Sequence, residues 1–405
     1  MLRILFISSR LPSEGLGGAE TAAFSIAESC AELGAAVAVA GVGSPPYWEE
    51  SEDRSETGNP RLRSYRLSPT RLSAIQGGES VSLLSRIFAH LVDLSPASGH
   101  AKMASIIRDF KPDVIVTNNV RGLGMGAVVA CSRSSAKWIH IPHDVQLLTP
   151  SGLWYLDHRP PSLWDRSGVR SLYQLWTRLL FRRVDYVFAA TGFILGAHLD
   201  RGFFQAAGAE VLRLPSMGSR HSSGVVTQGS AIEHSSGDRP LRIAMVGRLT
   251  DHKGIAWALA ALQTSDQSLV VEICGTGDQA DEVRLLAQLS PPSMTVNLHG
   301  QLEPEQRDKV LAGVDLLIVP SLVQESLSLV IEEAASLGVP SIGSRSGGIP
   351  ELVKSEWLFQ PGDTEQLLEV VQRFSRVRPA STQIEVEHLT GTEFAARLMS
   401  RAALP

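Results

Sequence analysis

Apolar residues along the chain fall into short runs that alternate with stretches of helical periodicity. The run RILFIS (3–8) has the length of a buried strand. The stretch TAAFSIAESCAEL (21–33) then places apolar residues at helical spacing, and Gly34 is typical of the residue that ends a helix. The run AAVAVAG (35–41) predicts a second strand. A strand, a helix and another strand in this order predict a parallel sheet covered by helices.

The same alternation continues through the rest of the chain. Residues 44–80 interrupt it, because they are polar and irregular, and they predict a mobile loop. Further strands are predicted at 113–118, 137–142, 185–191 and 210–215, and then at 241–247, 269–275, 294–300, 315–320 and 339–344.

The domain organisation follows from a change in composition. Residues 219–240 are rich in Ser, Gly and His without periodicity, which predicts a linker. A length of 405 residues also favours two domains over one. We therefore predict an α/β protein with two doubly wound, Rossmann-like domains at 1–218 and 241–385, followed by a closing segment at 386–405. Such domains bind ligands at the carboxyl ends of their strands, which predicts a central cleft.

Composition narrows the functional class. The formal net charge of -5 argues against a nucleic-acid partner, whose phosphates require a basic surface. The three cysteines lack metal-ligand spacing and are interpreted as buried apolar residues in a reducing compartment. The N-terminal apolar run is too short for a signal peptide, and no run approaches the roughly 18 apolar residues of a membrane span. These features predict a soluble cytoplasmic protein.

The stretch VGRLTDHKG (246–254) carries the first candidate chemistry. Its predicted strand ends at Val246 and Gly247 makes the turn, so that Arg248 and Lys253 flank a short loop before the next helix. Two cations beside a helix N-terminus form an anion site, because the helix dipole and the N–H groups both favour negative charge. The spacing suits a diphosphate. The alternative is a pair of surface side chains in a loop.

Two glutamates, Glu325 and Glu333, raise a question of geometry. On one helix they would lie about 12 Å apart along the axis and be rotated away from each other. However, the preceding strand ends at Pro320, and the helix is predicted to run from an N-cap at Ser328 to Leu337. Glu325 is therefore predicted to lie in a loop that can fold back over the helix start.

This arrangement predicts a ligand with hydroxyl groups on both sides of a phosphate. Carboxylates repel a diphosphate but accept hydrogen bonds from sugar hydroxyls. Glu325 and Glu333 would contact hydroxyls at the two ends of the ligand, and the N–H groups of Ser328 and Leu329 would face the phosphate between them. A solvated helix face is the alternative for the two glutamates.

In combination these motifs resemble the retaining nucleotide-sugar glycosyltransferases of glycosyltransferase family 4, which have the GT-B fold. GRLTDHKG matches their G-R-L-x-x-x-K-G signature, and PSLVQESLSLVIEE (320–333) matches their P-S element followed by E-x7-E. GVPSIGSRSGGIPE (338–351) matches a G-x-P…G-G-x-x-E segment. In the first half, GLGGAE (15–20), the HDV that begins at His143 and LPSMG (214–218) are similar to family elements.

The resemblance implies a hexosyltransferase and a role for each matching residue. Arg248 and Lys253 would bind the donor diphosphate and stabilise its charge as it leaves, in the pocket that Gly247 opens. Glu333 would accept hydrogen bonds from the ribose hydroxyls, and Glu325 from hydroxyls of the transferred sugar. The leaving phosphate would take the acceptor proton on the same face, so that catalysis depends on positioning and electrostatic stabilisation.

Further roles are implied for backbone groups and for one histidine. The N–H groups of Ser328 and Leu329, together with those of Gly17 and Gly18, would line the phosphate and sugar pocket. His143 would bind a hydroxyl of the transferred sugar, with a structural histidine as the alternative. A helix at 388–401 would cross back onto the N-terminal domain.

The chain also departs from the family pattern. Ser326 and Ser328 replace two glycines, and Leu327 stands where an aromatic residue is common. Both serines restrict the backbone near the phosphates, so the sugar specificity is predicted to be unusual. No D-x-D pair occurs in the sequence, and we predict that the enzyme is independent of metal ions and needs no cofactor.

Several other signals have simpler interpretations. The GLGMGA (122–127) and GTG (275–277) stretches suggest dinucleotide binding but do not complete the glycine fingerprint. His140 is predicted to face the core. Arg178, Arg182 and Arg183 could contact an anionic membrane or an anionic acceptor, although a solvated helix face is favoured because the chain is acidic overall.

The main hypothesis is an enzyme that transfers a sugar from a nucleotide-sugar donor to a small-molecule or glycan acceptor with retention of anomeric configuration. The alternatives are a nucleotide-sugar epimerase of similar architecture and a non-catalytic nucleotide-sugar binding protein. UDP is one of four candidate nucleotides, with GDP, ADP and dTDP. The sequence does not identify the sugar.

Overall fold

The computed structural model describes residues 1–11, 18–42, 62–67, 92–120, 122–155, 167–214, 239–384 and 389–403. The chain forms two compact units. The first unit comprises Met1–Gly152, Pro161–Met217 and His388–Pro405, and the second comprises Leu153–Pro160 and Gly218–Glu387. Most of the predicted linker, 219–240, lies outside the described residues.

A seven-stranded sheet forms the centre of the first unit, in the order β3-β2-β1-β4-β5-β6-β7. All of its neighbouring strands pair in parallel. The strands are β1 (Arg3–Arg10), β2 (Ala36–Val42), β3 (Leu62–Leu67), β4 (Val114–Thr117), β5 (Lys137–His140), β6 (Tyr186–Ala189) and β7 (Gly208–Val211).

Helices connect these strands, as a parallel sheet requires. They are α1 (Gly18–Glu32), α2 (His100–Phe110), α3 (Met125–Ser132), α4 (Ser167–Leu180) and α5 (Gly192–Leu199), together with the C-terminal α11 (Gly391–Ala403). Although α11 follows the second unit in the sequence, it belongs to the first. Phe394 of α11 is fully buried, with its ring 5.5 Å from the ring of Phe188. The Arg397 guanidinium donates to Glu210 Oε1 at 2.9 Å.

The second unit contains a six-stranded sheet in the order β10-β9-β8-β11-β12-β13, again with parallel neighbours. Its strands are β8 (Leu241–Val246), β9 (Leu269–Cys274), β10 (Met294–Gly300), β11 (Leu316–Val319), β12 (Ser341–Ser344) and β13 (Leu358–Phe359). Its helices are α6 (Ile255–Leu262), α7 (Ala280–Gln288), α8 (Pro304–Ala312), α9 (Leu329–Ser336) and α10 (Thr364–Val377).

Both sheets are doubly wound, and this topology positions the site. In the first unit the strand order reverses between β1 and β4, and in the second it reverses between β8 and β11. The loops that leave the carboxyl ends of such strand pairs turn in opposite directions and open a crevice for ligands. The predicted α/β fold with two Rossmann-like halves is therefore confirmed.

Two predictions of local structure need correction, and one further strand was not predicted. Residues 62–67, predicted within a mobile loop, form β3, which pairs along its length with β2. Their pattern hid the strand, because an edge strand with Arg63, Ser64 and Arg66 lacks a continuous apolar run. The strand predicted at 210–215 is observed at Gly208–Val211, and the two-residue β13 was too short to predict. The rest of the predicted loop at 44–80 lies outside the described residues.

Residues 153–155 were predicted to belong to the N-terminal domain, but the structure places them in the second unit. There the Gln324 N–H donates to the Trp154 carbonyl at 2.9 Å. Tyr155 forms an antiparallel bridge with Val323. These backbone bonds join the segment to the loop that follows β11.

Candidate functional site

The loop after β8 makes a tight turn at Gly247. Its N–H donates to the Cys274 carbonyl at 2.9 Å, and its φ is 150°. Gly275, at the end of β9, lies so close that a Cβ on it would be 1.8 Å from the Gly247 carbonyl oxygen. A Cβ on Gly277 would likewise be 2.2 Å from the Leu249 oxygen. The GTG stretch therefore lets two loops pack together, which explains its glycines without a dinucleotide.

Lys253 is brought to the end of β11 by a glycine that follows it. Residues Asp251–Lys253 form one turn of 3₁₀-helix, and Gly254 has a φ of 69°. A Cβ on Gly254 would be 2.1 Å from the Pro320 carbonyl oxygen, so only glycine permits this approach. Arg248, at the start of the same loop, is exposed. Both predicted cations thus lie in the loop between β8 and α6.

Lys253 and Glu325 form an ion pair, the central contact of the site. The Lys253 Nζ lies 2.7 Å from Glu325 Oε1, and the Ser321 hydroxyl donates to the same oxygen at 2.6 Å. The structure therefore brings together two of the predicted residues from separate loops. It also adds Ser321, which the sequence analysis included in the P-S element without a role.

The charge state of Glu325 follows from these contacts. The residue is buried, with 8% of its surface exposed, and burial alone would raise its pKa. The Lys253 ammonium and the Ser321 hydroxyl more than offset that effect, so that the pKa is lowered from its ordinary value. Glu325 is therefore ionised at neutral pH and can only accept hydrogen bonds.

A glycine pair, Gly347 and Gly348, clamps the backbone of the Glu325 loop. The Gly348 N–H donates to the Glu325 carbonyl at 2.7 Å, and the Gly347 N–H donates to the Gln324 side-chain oxygen at 2.6 Å. Gly347 has a φ of 56°, and a Cβ on it would be 1.9 Å from the Glu325 carbonyl oxygen. The pair belongs to the family-like segment at 338–351, and no sequence signal connects it to Glu325.

Glu333 lies on α9, where a residue that the sequence analysis missed holds it. The Arg307 guanidinium of α8 is 3.0 Å from Glu333 Oε1. Burial and the neighbouring Asp308 raise the pKa of Glu333, and Arg307 opposes that shift. Each of the two predicted carboxylates therefore has its own cation, Lys253 for one and Arg307 for the other. No sequence signal links Arg307 to Glu333, because they lie on different helices.

The N-terminus of α9 lies between these two carboxylates in the sequence. Ser328 is its N-cap residue, as predicted, with extended backbone angles, and Leu329 is the first helical residue. The Ser328 side chain does not cap the helix. In this helix the N-cap side chain therefore does not compete for the first N–H groups, whose partial positive charge favours an anion.

A second predicted residue, His143, lies beyond β5 in the first unit. It is buried, with 9% of its surface exposed, and its Nε2 is 3.0 Å from Asn118 Oδ1. An amide oxygen only accepts, so we assign the proton to Nε2, which leaves Nδ1 as an acceptor. Burial lowers the pKa of His143 to about 4, although Glu20 opposes the shift. The imidazole is therefore neutral at pH 7.

The other predicted residues of the first unit have structural positions or lie outside the described residues. His140 is fully buried and confirmed as a core residue, with Nδ1 3.0 Å from the Thr117 carbonyl oxygen. Gly18 is the first residue of α1, and Gly17 lies outside the described residues. The glycines of GLGMGA serve packing, because a Cβ on Gly126 would be 2.3 Å from the Ser98 carbonyl oxygen.

Across the described ranges, no group of three His, Cys, Asp or Glu side chains could hold a metal ion. In the same part of the chain, no helix has both the length and the apolar character needed to cross a membrane.

Family models match both halves of the chain. Residues 17–215 match the model described as "Glycosyl transferase 4-like domain", and residues 231–385 match the model described as "Glycosyl transferases group 1". The first match ends near the close of the first sheet, and the second contains every strand of the second sheet.

Individual proteins are also similar to this chain. An "Uncharacterized 42.6 kDa protein in cps region" of Klebsiella pneumoniae is 26% identical over 354 residues, which covers 87% of each chain. "Amylovoran biosynthesis glycosyltransferase AmsK" of Erwinia amylovora is 30% identical over 149 residues, which covers 34% of this chain but only 37% of that protein.

A solved structure extends the likeness to the whole fold. The HepE protein of Anabaena, crystallised in complex with UDP and glucose, superimposes with a TM-score of 0.62 at 16% identity. The superposition covers 99% of this chain and 97% of that one. At this identity the likeness demonstrates a shared fold.

Proposed function

The chain belongs to the family-4-like glycosyltransferases with the GT-B fold, and from that premise we propose that it transfers a sugar from a nucleoside diphosphate to an acceptor hydroxyl with retention of anomeric configuration. The observation that carries the proposal is the buried Glu325 carboxylate, held ionised by Lys253 at the switch point of the second sheet. An ionised carboxylate beside an ammonium suits a substrate that combines sugar hydroxyls with a diphosphate.

The diphosphate is assigned to the cationic side of the site. Lys253 gives one of its three N–H donors to Glu325, and two remain for phosphate oxygens. The exposed Arg248 guanidinium and the N–H groups of Ser328 and Leu329 add positive potential as the leaving phosphate gains charge. Gly247, which lacks a side chain, keeps the approach open.

The hydroxyl groups are assigned to the two glutamates. Glu325 accepts from the transferred sugar, and Glu333 accepts from the ribose while Arg307 keeps it in place. His143 accepts a substrate hydroxyl through Nδ1, because Asn118 engages Nε2. A neutral imidazole in this role orients the substrate and adds no charge.

The proton of the acceptor goes to the leaving phosphate in this proposal. Glu325 is engaged by Lys253 and Ser321 and has a lowered pKa, which makes it a poor general base. The chain therefore accelerates transfer by orientation and by electrostatic stabilisation of the departing diphosphate. We propose that no divalent metal takes part, since the sequence lacks a D-x-D pair and the cations Arg248 and Lys253 face the diphosphate instead.

UDP is the first nucleotide to test, because the Anabaena structure contains it. The three cysteines are free and buried, which supports a reducing compartment such as the cytoplasm. The acceptor is a small molecule or a glycan with a free hydroxyl.

One experiment tests the proposed reaction. The purified protein is first screened by thermal shift against UDP, GDP, ADP and dTDP, since a ligand at a hundred times its Kd stabilises the fold by about 2.7 kcal/mol. Sugars of the preferred nucleotide are then supplied with and without candidate acceptors, in EDTA and in magnesium, and nucleotide release is followed. NMR of the product reports the anomeric configuration.

We expect slow hydrolysis of the donor and faster nucleotide release when an acceptor is added. The rates in EDTA and in magnesium should be equal, and the product should retain the anomeric configuration of the donor. An inverted product contradicts the retaining mechanism, and a rate that requires magnesium contradicts metal independence. A sugar that epimerises without nucleotide release contradicts transfer itself. Stabilisation by nucleotide without any turnover would indicate a binding protein.

A further inference from the structure

Helix α4 exposes a row of large apolar side chains. Val169, Leu172, Leu175 and Leu179 are 41%, 71%, 44% and 49% exposed, and they make up four of the thirteen exposed large apolar residues in the described part of the chain. Their spacing of three, three and four residues places them on one side of the helix. We call this set the leucine face. Single exposed leucines are ordinary on protein surfaces, whereas a continuous row is not.

The orientation of α4 is set by polar contacts on its other side. The Thr177 hydroxyl donates to the Leu147 carbonyl at 2.8 Å, and the Gln174 amide donates to the Leu148 carbonyl at 2.8 Å. Trp176 follows Leu172 by four residues and borders the leucine face, and its indole N–H donates to the Leu94 carbonyl at 3.2 Å. Because these bonds fix α4 against its neighbouring segments, the helix cannot rotate to bury the leucine face without breaking them.

The charge around the leucine face is entirely basic along the helix. Residues 167–183 contain four arginines and no Asp or Glu, although the chain as a whole carries a formal net charge of -5. Arg178, Arg182 and Arg183 are exposed. Arg178 follows Leu175 by one turn, and Arg182 and Arg183 follow the end of α4. An apolar row next to a basic cluster is the composition of helices that lie in a membrane interface.

We propose that the leucine face and its neighbouring arginines dock on the surface of an anionic phospholipid membrane, with α4 lying along it. The leucines insert among the acyl chains near the headgroups, and the arginines contact the lipid phosphates. The sequence favoured a solvated helix face, and the exposed leucines in the structure are what change that interpretation. The inference does not depend on the proposed transfer reaction.

A second copy of the chain fits this face less well. A two-fold interface brings the same patch together from both subunits. Both patches would then be basic, and neither helix has an acidic residue to pair with the arginines of the other copy. Such an interface gains no attraction between opposite charges, whereas a layer of anionic phosphates attracts every arginine.

The test is sedimentation of the full-length protein with lipid vesicles. We expect it to sediment with vesicles of phosphatidylcholine and phosphatidylglycerol but not with phosphatidylcholine alone. High salt should weaken the binding, because the screening length falls from about 10 Å at 0.1 M to about 3 Å at 1 M ionic strength. The Leu172→Ser/Leu179→Ser variant should remain in the supernatant. Arg182→Ser should bind about five-fold more weakly, the effect of one arginine near a charged surface.

A matched control is available on α7. Leu285 and Leu289 are 55% and 68% exposed, but the first turn of that helix carries Asp281 and Glu282. The Leu285→Ser/Leu289→Ser variant should bind vesicles like the parent protein. Circular dichroism of each variant confirms that the fold is retained.

Three results would overturn the inference. The first is a parent protein that stays in the supernatant with anionic vesicles at low salt. The second is equal vesicle binding by the parent and by the Leu172→Ser/Leu179→Ser variant. The third, seen by sedimentation equilibrium without lipid, is a dimer that only this variant dissociates, which would assign the leucine face to self-association.

Discussion

Glu325 is a buried carboxylate whose charge depends on two neighbours. An ionised group with 8% of its surface exposed is unfavourable unless it is paired and hydrogen-bonded. Lys253 and Ser321 both meet its Oε1. Because both contacts use Oε1, the second carboxylate oxygen of Glu325 can accept a bond from a substrate hydroxyl, and two N–H donors of Lys253 can bind a phosphate. In the proposed reaction, the same two residues would therefore contribute both to stability and to substrate binding.

A double-mutant cycle at this pair separates the two contributions. Lys253→Ala should cost about 1–3 kcal/mol of unfolding free energy, because it leaves the Glu325 charge without its cation. Glu325→Gln should lower kcat/KM roughly a hundred-fold, in the range seen when one electrostatic contact to a transition state is removed. The double variant should recover stability and remain inactive, since the pair is then neutral but the substrate contacts are lost.

Urea denaturation and initial rates measure the two effects independently. Ser321→Ala serves as the graded control, because it removes one hydrogen bond and keeps the ion pair. It should lose less activity than either charge variant. Parent-like rates in both Lys253→Ala and Glu325→Gln would show that the pair is not part of the donor site.

At the scale of elements, the site depends on glycines that let loops approach each other. Gly254 permits the β8–α6 loop to reach Pro320, and Gly347 permits the loop after β12 to reach Glu325. Both have positive φ, which other residues adopt only with strain. The strands supply a rigid edge, and these glycines bring the three loops together on it.

Gly347→Ala tests this close approach. The new Cβ would lie 1.9 Å from the Glu325 carbonyl oxygen, so the loop must move and turnover should fall at least ten-fold. Gly362→Ala is the matched control. Gly362 has a φ of 80°, but no heavy atom lies within 4 Å of a Cβ built there. Both variants should lose about 1–2 kcal/mol of stability through backbone strain, and Gly347→Ala should lose more because its Cβ overlaps the Glu325 carbonyl. Only Gly347→Ala should lose activity.

Thermal unfolding measures the stability of the two variants, and initial rates measure their turnover. If both variants are fully folded at the assay temperature, a large difference in rate assigns Gly347 to the positioning of Glu325. If Gly347→Ala keeps the parent rate, the clamp on the Glu325 backbone has no catalytic consequence.

At the scale of the whole molecule, buried histidines make the protein sensitive to acid. Burial lowers the pKa of His140 to about 3 and those of His143 and His198 to about 4. All three lie in the first unit. The unfolded chain binds protons at these residues near pH 6.5, while the folded chain does not until the pH is much lower. The unfolded state is therefore favoured as the pH falls below 6.5.

The expected slope is about 1.4 kcal/mol per pH unit for each histidine between its folded pKa and pH 6.5. Denaturant unfolding at about pH 7 and pH 5 measures it. His198→Gln should reduce the slope by about one histidine equivalent. A stability that does not change over this interval would mean that the folded protein takes up as many protons as the unfolded chain, so that the pKa values of the three histidines are not lowered by folding.

Much of the architecture could be predicted from one sequence, because its causes are local. The strands of a parallel sheet are apolar on both faces and separated by helices, so their order along the chain is visible in the hydrophobic pattern. Val246, Pro320 and Ser328 marked the ends of elements because turns and helix starts select particular residues. The edge strand β3 was not predicted, because half-exposed strands have a polar pattern that loops share.

For the candidate site, too, local features could be predicted and long-range contacts could not. The sequence alone determined the doubly wound class of the fold, and it identified candidate side chains for the site, because cations and carboxylates at strand ends form motifs of fixed spacing. Only the tertiary structure decided that Lys253 pairs with Glu325, that Arg307 holds Glu333, that Gly347 clamps a loop 22 residues away and that α4 turns its leucines outward. The physical reason is that these contacts join residues distant in the chain, and their distances depend on how the sheet twists and the helices pack.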